Sequence, residues 1–154
     1  MKVDTQQNQP APVNLAAERS VLGAVIEDDT LLPELIACGL TENDFGLNEH
    51  RRLFAAIGAL RQQNRPVDYI TVAEQLGNRQ EDYALVARLI DGSVTDPDHV
   101  LYHARIVQKK ARLRALLRLA DWIARVADDS ADPDALIEQI IGKLERMAPA
   151  EVVA

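Results

Sequence analysis

Cysteine, phosphate-binding glycine loops and long apolar runs are scarce or absent in this sequence, and each shortage excludes a class of protein. With Cys38 as the single cysteine, the chain can form no internal disulfide, which fits a reducing cytoplasm. None of the seven glycines belongs to a G-x-x-x-x-G-K-[ST] or G-x-G-x-x-G pattern. The longest apolar runs are far shorter than a membrane span. We therefore expect neither a secreted disulfide scaffold, nor a nucleotide hydrolase, nor a membrane protein.

Candidate catalytic and metal-binding residues are also few. His99 and His103 have the i, i+4 spacing of a helical metal pair, but no glutamate follows His99, so a structural or surface role is expected. His50 lies near a helix start and is predicted to pack or cap, and Cys38 is predicted to be a small buried side chain. No catalytic triad or carboxylate pair stands out from the 24 acidic residues. The sequence thus predicts no catalytic residue, no cofactor and no metal site.

Composition and charge describe an ordinary acidic globular chain. Of its 154 residues, 47% are hydrophobic, which is enough for a core without disulfides or metals. The formal net charge of −7 argues against a general attraction to nucleic-acid phosphates. Residues 1–13 are rich in glutamine, asparagine and proline and contain no apolar stretch, so they are predicted to be a flexible tail rather than a signal peptide.

Helix start and stop signals recur along the whole sequence and predict an all-α fold. Asn14, Asn48 and Asp68 precede segments with apolar residues at helical spacing, and Thr41 with Asp44 predicts a capping box. The segment 67–72 has high strand propensity, but Pro66 and Asp68 favour a helix start there. A further short helix is expected from about residue 81 to 89 or 90.

Two Asp-Pro pairs predict a long helical hairpin after the break at residues 91–93. Asp96-Pro97 and Asp132-Pro133 each combine an N-cap with a proline in the first helical turn, and no glycine or proline occurs between Pro97 and Asp128. The short loop after Asp128 forces the two helices to run antiparallel. We therefore predict a compact helical head at residues 14–92, a hairpin at residues 96–147, and a flexible end or linker stub at residues 148–154.

The first hairpin helix has an apolar surface wider than one partner helix covers. One stripe includes Leu113, Leu116, Leu117 and Ile123, and an adjoining stripe includes Leu119, Trp122 and Val126. We expect the returning helix to cover the first stripe and a second copy to cover the other. The predicted self-association interface comprises Leu116, Leu119, Trp122, Ile123 and Val126. The alternative is that the hairpin folds back on its own head and leaves no stripe for a partner.

The polar side of the same helix is rich in basic residues. Between residues 105 and 125 only Asp121 is acidic. A solvated helix face is the ordinary explanation, and a docking face for an acidic partner or for nucleic-acid phosphates is the functional one. No aromatic residues alternate with these charges for base stacking, which disfavours direct nucleic-acid binding. The predicted docking face consists of Arg105, Lys109, Arg112, Arg114 and Arg118.

Four stretches of sequence, in order, resemble the N-terminal domain of the bacterial DnaB-type replicative DNA helicases. They are PVNLAAERSVLG at residues 12–23, LTENDF with HRRLFAAI at residues 40–57, PVD with ITVA at residues 66–73, and YHARIVQKKA at residues 102–111. The segment at residues 77–82 is shorter than the usual loop of that family. Each stretch alone is weakly specific, but the four in the family's order are strongly specific, and the resemblance spans roughly residues 12–147.

This resemblance implies a helical head and hairpin whose copies form an N-terminal collar on a hexameric ring. It implies primase as a partner and adds the helicase loader as another, whereas the ATP-dependent motor lies in a following domain of the family. We therefore expect an interaction and oligomerisation module without ATPase or unwinding activity. Two alternatives remain open. One is a stand-alone regulator that binds helicase or primase, and the other is a small nucleic-acid-binding helical protein.

Overall fold

The computed structural model describes residues 11–148, and within that range every regular element is helical. No helix in this range is long and apolar enough to cross a membrane. Two short 3₁₀ turns lie at Asp29–Leu31 and Glu42–Asp44. The seven α-helices are α1 (Leu15–Glu27), α2 (Leu32–Ala37), α3 (Asn48–Gln62), α4 (Tyr69–Leu76), α5 (Gln80–Ile90), α6 (Pro97–Val126) and α7 (Pro133–Met147).

Side-chain caps open α1 and α4 where the sequence predicts helix starts, whereas α3 begins at Asn48 after Leu47, without a side-chain cap. The Asn14 side chain accepts a hydrogen bond of 3.0 Å from the backbone N–H of Ala17 and thereby opens α1. The Asp68 carboxylate accepts from the N–H groups of Ile70 and Thr71, so the segment with high strand propensity begins a helix. These caps satisfy donors that have no partner within the first helical turn. The predicted all-α fold is confirmed.

Helix α1 forms the centre of the head, where it packs against α3, α4 and α5. Its middle, from Val21 to Ile26, is buried. The largest buried side chains around it come from α2, the following loop, and α3. They are Leu32, Leu35, Phe45, Leu53, Ile57 and Leu60. Burial of such a side chain stabilises the fold by about 1.5–3 kcal/mol, so this core supplies most of the driving force for folding of the head.

The first half of α6 belongs to the head. The chain divides into two compact units, one through Ala111 and one from Arg112. Val100, Ala104 and Val107 of α6 are buried in the head's core. The predicted boundary at residue 92 therefore marks only a turn, in which Gly92 has a φ of +72°. The head extends about four helical turns further along the chain because α6 presents an apolar stripe to it.

Helix α1 approaches α5 so closely that only glycine fits at position 23. A Cβ atom at Gly23 would overlap the carbonyl oxygen of Leu89 and lie 3.0 Å from its carbonyl carbon. Backbone atoms cannot move aside without shifting the whole helix. The close contact therefore depends on the absence of a side chain at this position.

A buried carboxylate connects α1 to α3. Glu18 and His50 are each 1% exposed, and the His50 Nδ1 atom lies 2.6 Å from a Glu18 carboxylate oxygen. The other carboxylate oxygen accepts a hydrogen bond from the N–H of Gly46. Burial by itself raises the pKa of Glu18, but the hydrogen bonds from His50 and Gly46 outweigh it, so the pKa is lowered. Glu18 is thus held as a carboxylate that joins three segments of the head.

Cys38 is exposed, and the predicted burial of this residue is wrong. Helix α2 ends at Ala37, and the chain turns at Gly39 with a φ of +89°. The Cys38 thiol donates a hydrogen bond of 3.0 Å to the Leu35 carbonyl at the end of the helix. Of the apolar run at residues 35–38 only Leu35 faces the core, and Ile36 is 52% exposed although it lies within α2.

Substituting Gly23→Ala should destabilise the head by at least about 1–3 kcal/mol, because the new methyl group forces α1 and α5 apart. Gly58→Ala is the matched control, since a Cβ atom at that helical glycine meets nothing within 4 Å. The control should gain roughly 0.5–1 kcal/mol from the better helix propensity of alanine. Urea denaturation followed by circular dichroism measures both. Equal stability of the two variants would contradict the close contact.

Substituting Glu18→Gln should lower the free energy of unfolding at neutral pH by about 1–3 kcal/mol, because a buried donor loses its charged acceptor. The folded-state pKa of Glu18 lies below its ordinary value of 4.5. The stabilisation by the carboxylate is therefore present above about pH 4.5 and is lost as the pH falls through the folded-state pKa. Urea midpoints between pH 3 and pH 7 should show the difference from wild type shrinking towards acid. Glu27→Gln, at the exposed end of α1, is the control and should change little.

Candidate protein interaction surface

The second unit consists of the end of α6 and all of α7, joined by a short ordered loop. The Ser130 N–H donates a hydrogen bond of 2.8 Å to the Asp128 carboxylate, and the Ser130 hydroxyl donates another. These bonds lower the pKa of Asp128 and hold the turn. The Asp132 carboxylate then accepts from the N–H of Asp134 at the start of α7. The loop therefore reverses the chain, so that α7 runs antiparallel to α6.

The seam between the two helices contains Leu119 and Trp122. Leu119 is 6% exposed and is the only buried residue among residues 112–148. The Lys143 ammonium lies 4.7 Å from the centre of the Trp122 ring, in cation–π geometry. A groove with a volume of about 360 Å³ runs along one edge of this seam. It is lined by Ala115, Arg118, Leu119, Trp122, Lys143, Arg146 and Met147.

Six large apolar side chains of the second unit, which is the part of the hairpin from Arg112 onward, are exposed. They are Leu113, Leu116 and Leu117 of α6 and Ile137, Ile141 and Leu144 of α7, each between 39% and 57% exposed. Leu116 follows Ala115 of the seam, and Leu144 follows Lys143. One residue advances about 100° around a helix, and in an antiparallel pair the same rotation on both helices leads to the same side. Leu113, Leu116, Ile137, Ile141 and Leu144 therefore lie on one side of the hairpin, and Leu117 adjoins them on the surface of α6 that points away from α7. We name these six exposed residues the apolar face.

The structure reverses one expectation about the two stripes of α6. The predicted interface residues Leu119 and Trp122 lie in the seam with α7, whereas Leu116 belongs to the apolar face. Ile123 and Val126 are half-buried. The stripe that α7 covers is therefore the one expected to face a second copy. Helical periodicity identifies both stripes, but it does not determine which of two adjoining stripes the returning helix selects.

The five predicted basic residues lie on different sides of α6. At about 100° per residue, Arg105, Lys109 and Arg112 fall within an arc of about 60°. Arg114 and Arg118 lie at least about 120° from Arg112 around the same helix. Arg118 alone of the five lines the groove, where Lys143 and Arg146 join it. The sequence of α6 alone does not indicate Lys143 and Arg146, although both follow the helical spacing of α7.

The histidine side chains have partners within the chain. The Nδ1 atom of His103 lies 2.7 Å from the Ser20 hydroxyl, and that of His99 lies 2.7 Å from an Asp96 carboxylate oxygen. Across residues 11–148 no group of three or more potential ligands is arranged to hold a metal ion.

Comparisons with known proteins identify relatives of the chain. The family model described as the DnaB-like helicase N-terminal domain matches residues 10–109. The replicative DNA helicase DnaC of Bacillus subtilis is 30% identical over 147 residues, which cover 93% of this chain and 32% of that protein. The chain therefore spans about a third of the length of this relative.

Solved structures agree with the sequence comparison. The crystal structure of the N-terminal domain of DnaB helicase from Mycobacterium tuberculosis matches with a TM-score of 0.77 and 26% identity, covering 88% of this chain and 99% of that one. A DnaB-like replicative helicase, described with its interactions with primase, matches with a TM-score of 0.70 at 21% identity. This match covers 87% of the present chain and 30% of that one, and it shows the shared fold.

Proposed function

The chain belongs to the DnaB-like helicase N-terminal domain family, and on that premise we propose that it is the interaction and oligomerisation domain of a replicative DNA helicase. In this proposal the domain acts in DNA replication in the cytoplasm and contributes to the collar of a hexameric ring. ATP hydrolysis and strand separation then reside outside the chain, in the part of the relatives that it does not cover.

The proposal of self-association is based on the apolar face of the hairpin. Its six residues would remain in water in a single copy, at a cost in hydrophobic free energy for each large side chain left exposed. The unit from Arg112 onward has one buried side chain of its own among the described residues, so it gains most from an external partner. A twofold pairing of two hairpins would cover the apolar faces of both copies at once.

Primase is the proposed partner of the assembled domain, with the helicase loader as another. One structural neighbour is described together with its interactions with primase, which supports this assignment. The basic residues of α6 would then dock acidic surfaces, with Arg105, Lys109 and Arg112 on one side and Arg114 and Arg118 on the other. Because these groups diverge around the helix, they would contact two partners or two parts of one partner.

Two alternatives differ in what the isolated chain would do. A stand-alone regulator would bind full-length helicase or primase and compete with the helicase's own domain. A nucleic-acid-binding protein would bind single strands tightly and with strong salt dependence. The net charge of −7 and the lack of aromatic residues alternating with the basic residues of α6 favour the protein-binding functions. An in-frame motor domain after codon 154 would distinguish a helicase domain from a regulator.

We expect the wild-type chain to form a dimer at micromolar concentration. The double variant Leu117→Asp, Ile141→Asp should be shifted towards the monomer. Both side chains lie in the apolar face, where a carboxylate would have to be buried on pairing. Analytical ultracentrifugation measures the dissociation constant, which should rise at least about tenfold. The helical circular dichroism signal should persist, because neither residue lies in the seam.

Ile70→Asp provides the control for this experiment. Ile70 is 57% exposed, the same fraction as Leu117, but it lies on α4 in the head. The control should leave the dissociation constant unchanged. A wild-type chain that sediments as a monomer at high concentration would refute self-association through the apolar face.

The purified chain should neither hydrolyse ATP nor bind single-stranded DNA tightly at physiological salt. The sequence lacks a phosphate-binding loop, and phosphoryl transfer needs such a cradle together with a metal site. A coupled ATPase assay and fluorescence anisotropy with labelled oligothymidine test the two statements. Tight, salt-sensitive oligonucleotide binding that Arg114→Glu and Arg118→Glu abolish would favour the nucleic-acid alternative.

A further inference from the structure

The groove along the seam opens on the side of the hairpin opposite the apolar face. Arg118 precedes Leu119 of the seam, whereas the apolar-face residue Leu116 follows Ala115. One step back along α6 turns by about 100° in one direction, and one step forward turns by about 100° in the other. Arg118 and Leu116 therefore lie on opposite sides of the pair of helices. Pairing through the apolar face would therefore leave this groove open. We name it the cationic groove.

Three cations surround the cationic groove, and no acidic side chain lines it. Arg118, Lys143 and Arg146 form its rim. Within the described part of the chain, neither arginine has an ion-pair partner. This concentration of positive charge occurs in a chain of net charge −7. The groove thus complements a ligand that carries carboxylates, and arginine binds a carboxylate through two parallel hydrogen bonds.

The floor of the groove is apolar and suits side chains better than bases. Ala115, Leu119 and Met147 contribute aliphatic and thioether surface beside Trp122. Methionine adapts its shape to apolar side chains of different partners. The Lys143 ammonium covers one face of the Trp122 ring, and no second aromatic residue lines the groove. Single-strand binders instead use several aromatic platforms in succession, which this floor lacks.

We propose that the cationic groove binds an acidic amphipathic helix of a partner protein. Its carboxylates would pair with Arg118, Lys143 and Arg146, and its apolar side chains would lie on Leu119, Trp122 and Met147. From Ala115 to Trp122 the floor spans about 10 Å, or two helical turns, which matches a helix docked in a groove. The proposal rests on the docking of acidic partners proposed above for Arg118 and deepens it, but it requires neither self-association nor a particular replication partner.

Trp122 is the only tryptophan of the chain, so its emission reports directly on the groove. The probe is a tryptophan-free, fluorescein-labelled peptide of about four helical turns, with leucines at i, i+3, i+4 and i+7 and glutamates elsewhere. Titration of the full chain with unlabelled peptide should shift Trp122 emission to the blue and saturate. Anisotropy of the labelled peptide should give the same dissociation constant, and the affinity should weaken with salt.

Arg118→Gln with Arg146→Gln should weaken peptide binding at least about tenfold, because the carboxylates lose two cationic partners. Arg61→Gln with Arg65→Gln removes the same charge from the head, at the end of α3 and in the loop after it, and should change the affinity little. A peptide with lysines in place of the glutamates should not bind. The variant that combines Leu117→Asp with Ile141→Asp should bind the acidic peptide as tightly as wild type. Peptide binding can therefore be lost without loss of self-association, and self-association without loss of peptide binding.

Three results would overturn the proposal. The first is equal affinity of the acidic peptide for wild type and the Arg118→Gln, Arg146→Gln variant. The second is equal binding of the glutamate and lysine peptides. The third is tight binding of oligothymidine that depends on Arg118 and Arg146 when the acidic peptide does not bind, which would assign the groove to nucleic acid instead.

Discussion

The close packing of helix α1 against its neighbours is the constraint on which the head depends. At Gly23 the backbone of α1 comes so near to the Leu89 carbonyl that no side chain fits between them. One turn earlier, Glu18 of the same helix accepts hydrogen bonds from His50 and Gly46. A helix held by backbone contact on one side and by a buried carboxylate on the other has little freedom to rotate or slide. The remaining helices are therefore placed relative to a fixed reference.

The hairpin beyond Ala111 is built on different physical grounds. Two antiparallel helices bury one seam, and along residues 112–148 that seam fully buries only Leu119. A pair of helices cannot exclude water from both of its sides, so apolar residues outside the seam stay exposed unless another surface covers them. The head thus has a core of its own, whereas the hairpin would gain stability if another surface covered its exposed apolar residues. This difference explains why interaction surfaces collect on the hairpin.

Features determined by local chemistry could be predicted from the sequence, and features determined by packing choices could not. Asn14 and Asp68 cap their helices as predicted, because an N-cap depends only on the next three residues. The exposure of Cys38 depends on which side of α2 packs on the head, and at residues 35–38 only Leu35 is on that side. Whether Leu116 or Leu119 faces α7 depends on a choice between two adjoining stripes of similar hydrophobicity. The cations of α7 join Arg118 only after the chain reverses, so no local pattern on α6 indicates the groove.

The two sides of the hairpin differ in the side chains that they carry, because each helix has apolar residues on one side of the seam and basic residues on the other. Directly after Ala115 and Lys143, which both line the groove, come the exposed leucines Leu116 on α6 and Leu144 on α7. The cations Arg118, Lys143 and Arg146 line the groove itself. Hydrophobic association tolerates many geometries, whereas charge pairs impose register on whatever binds. A domain that devotes its apolar side to copies of itself and its cationic side to acidic partners could therefore assemble and recruit at the same time, since neither partner competes for the other's surface.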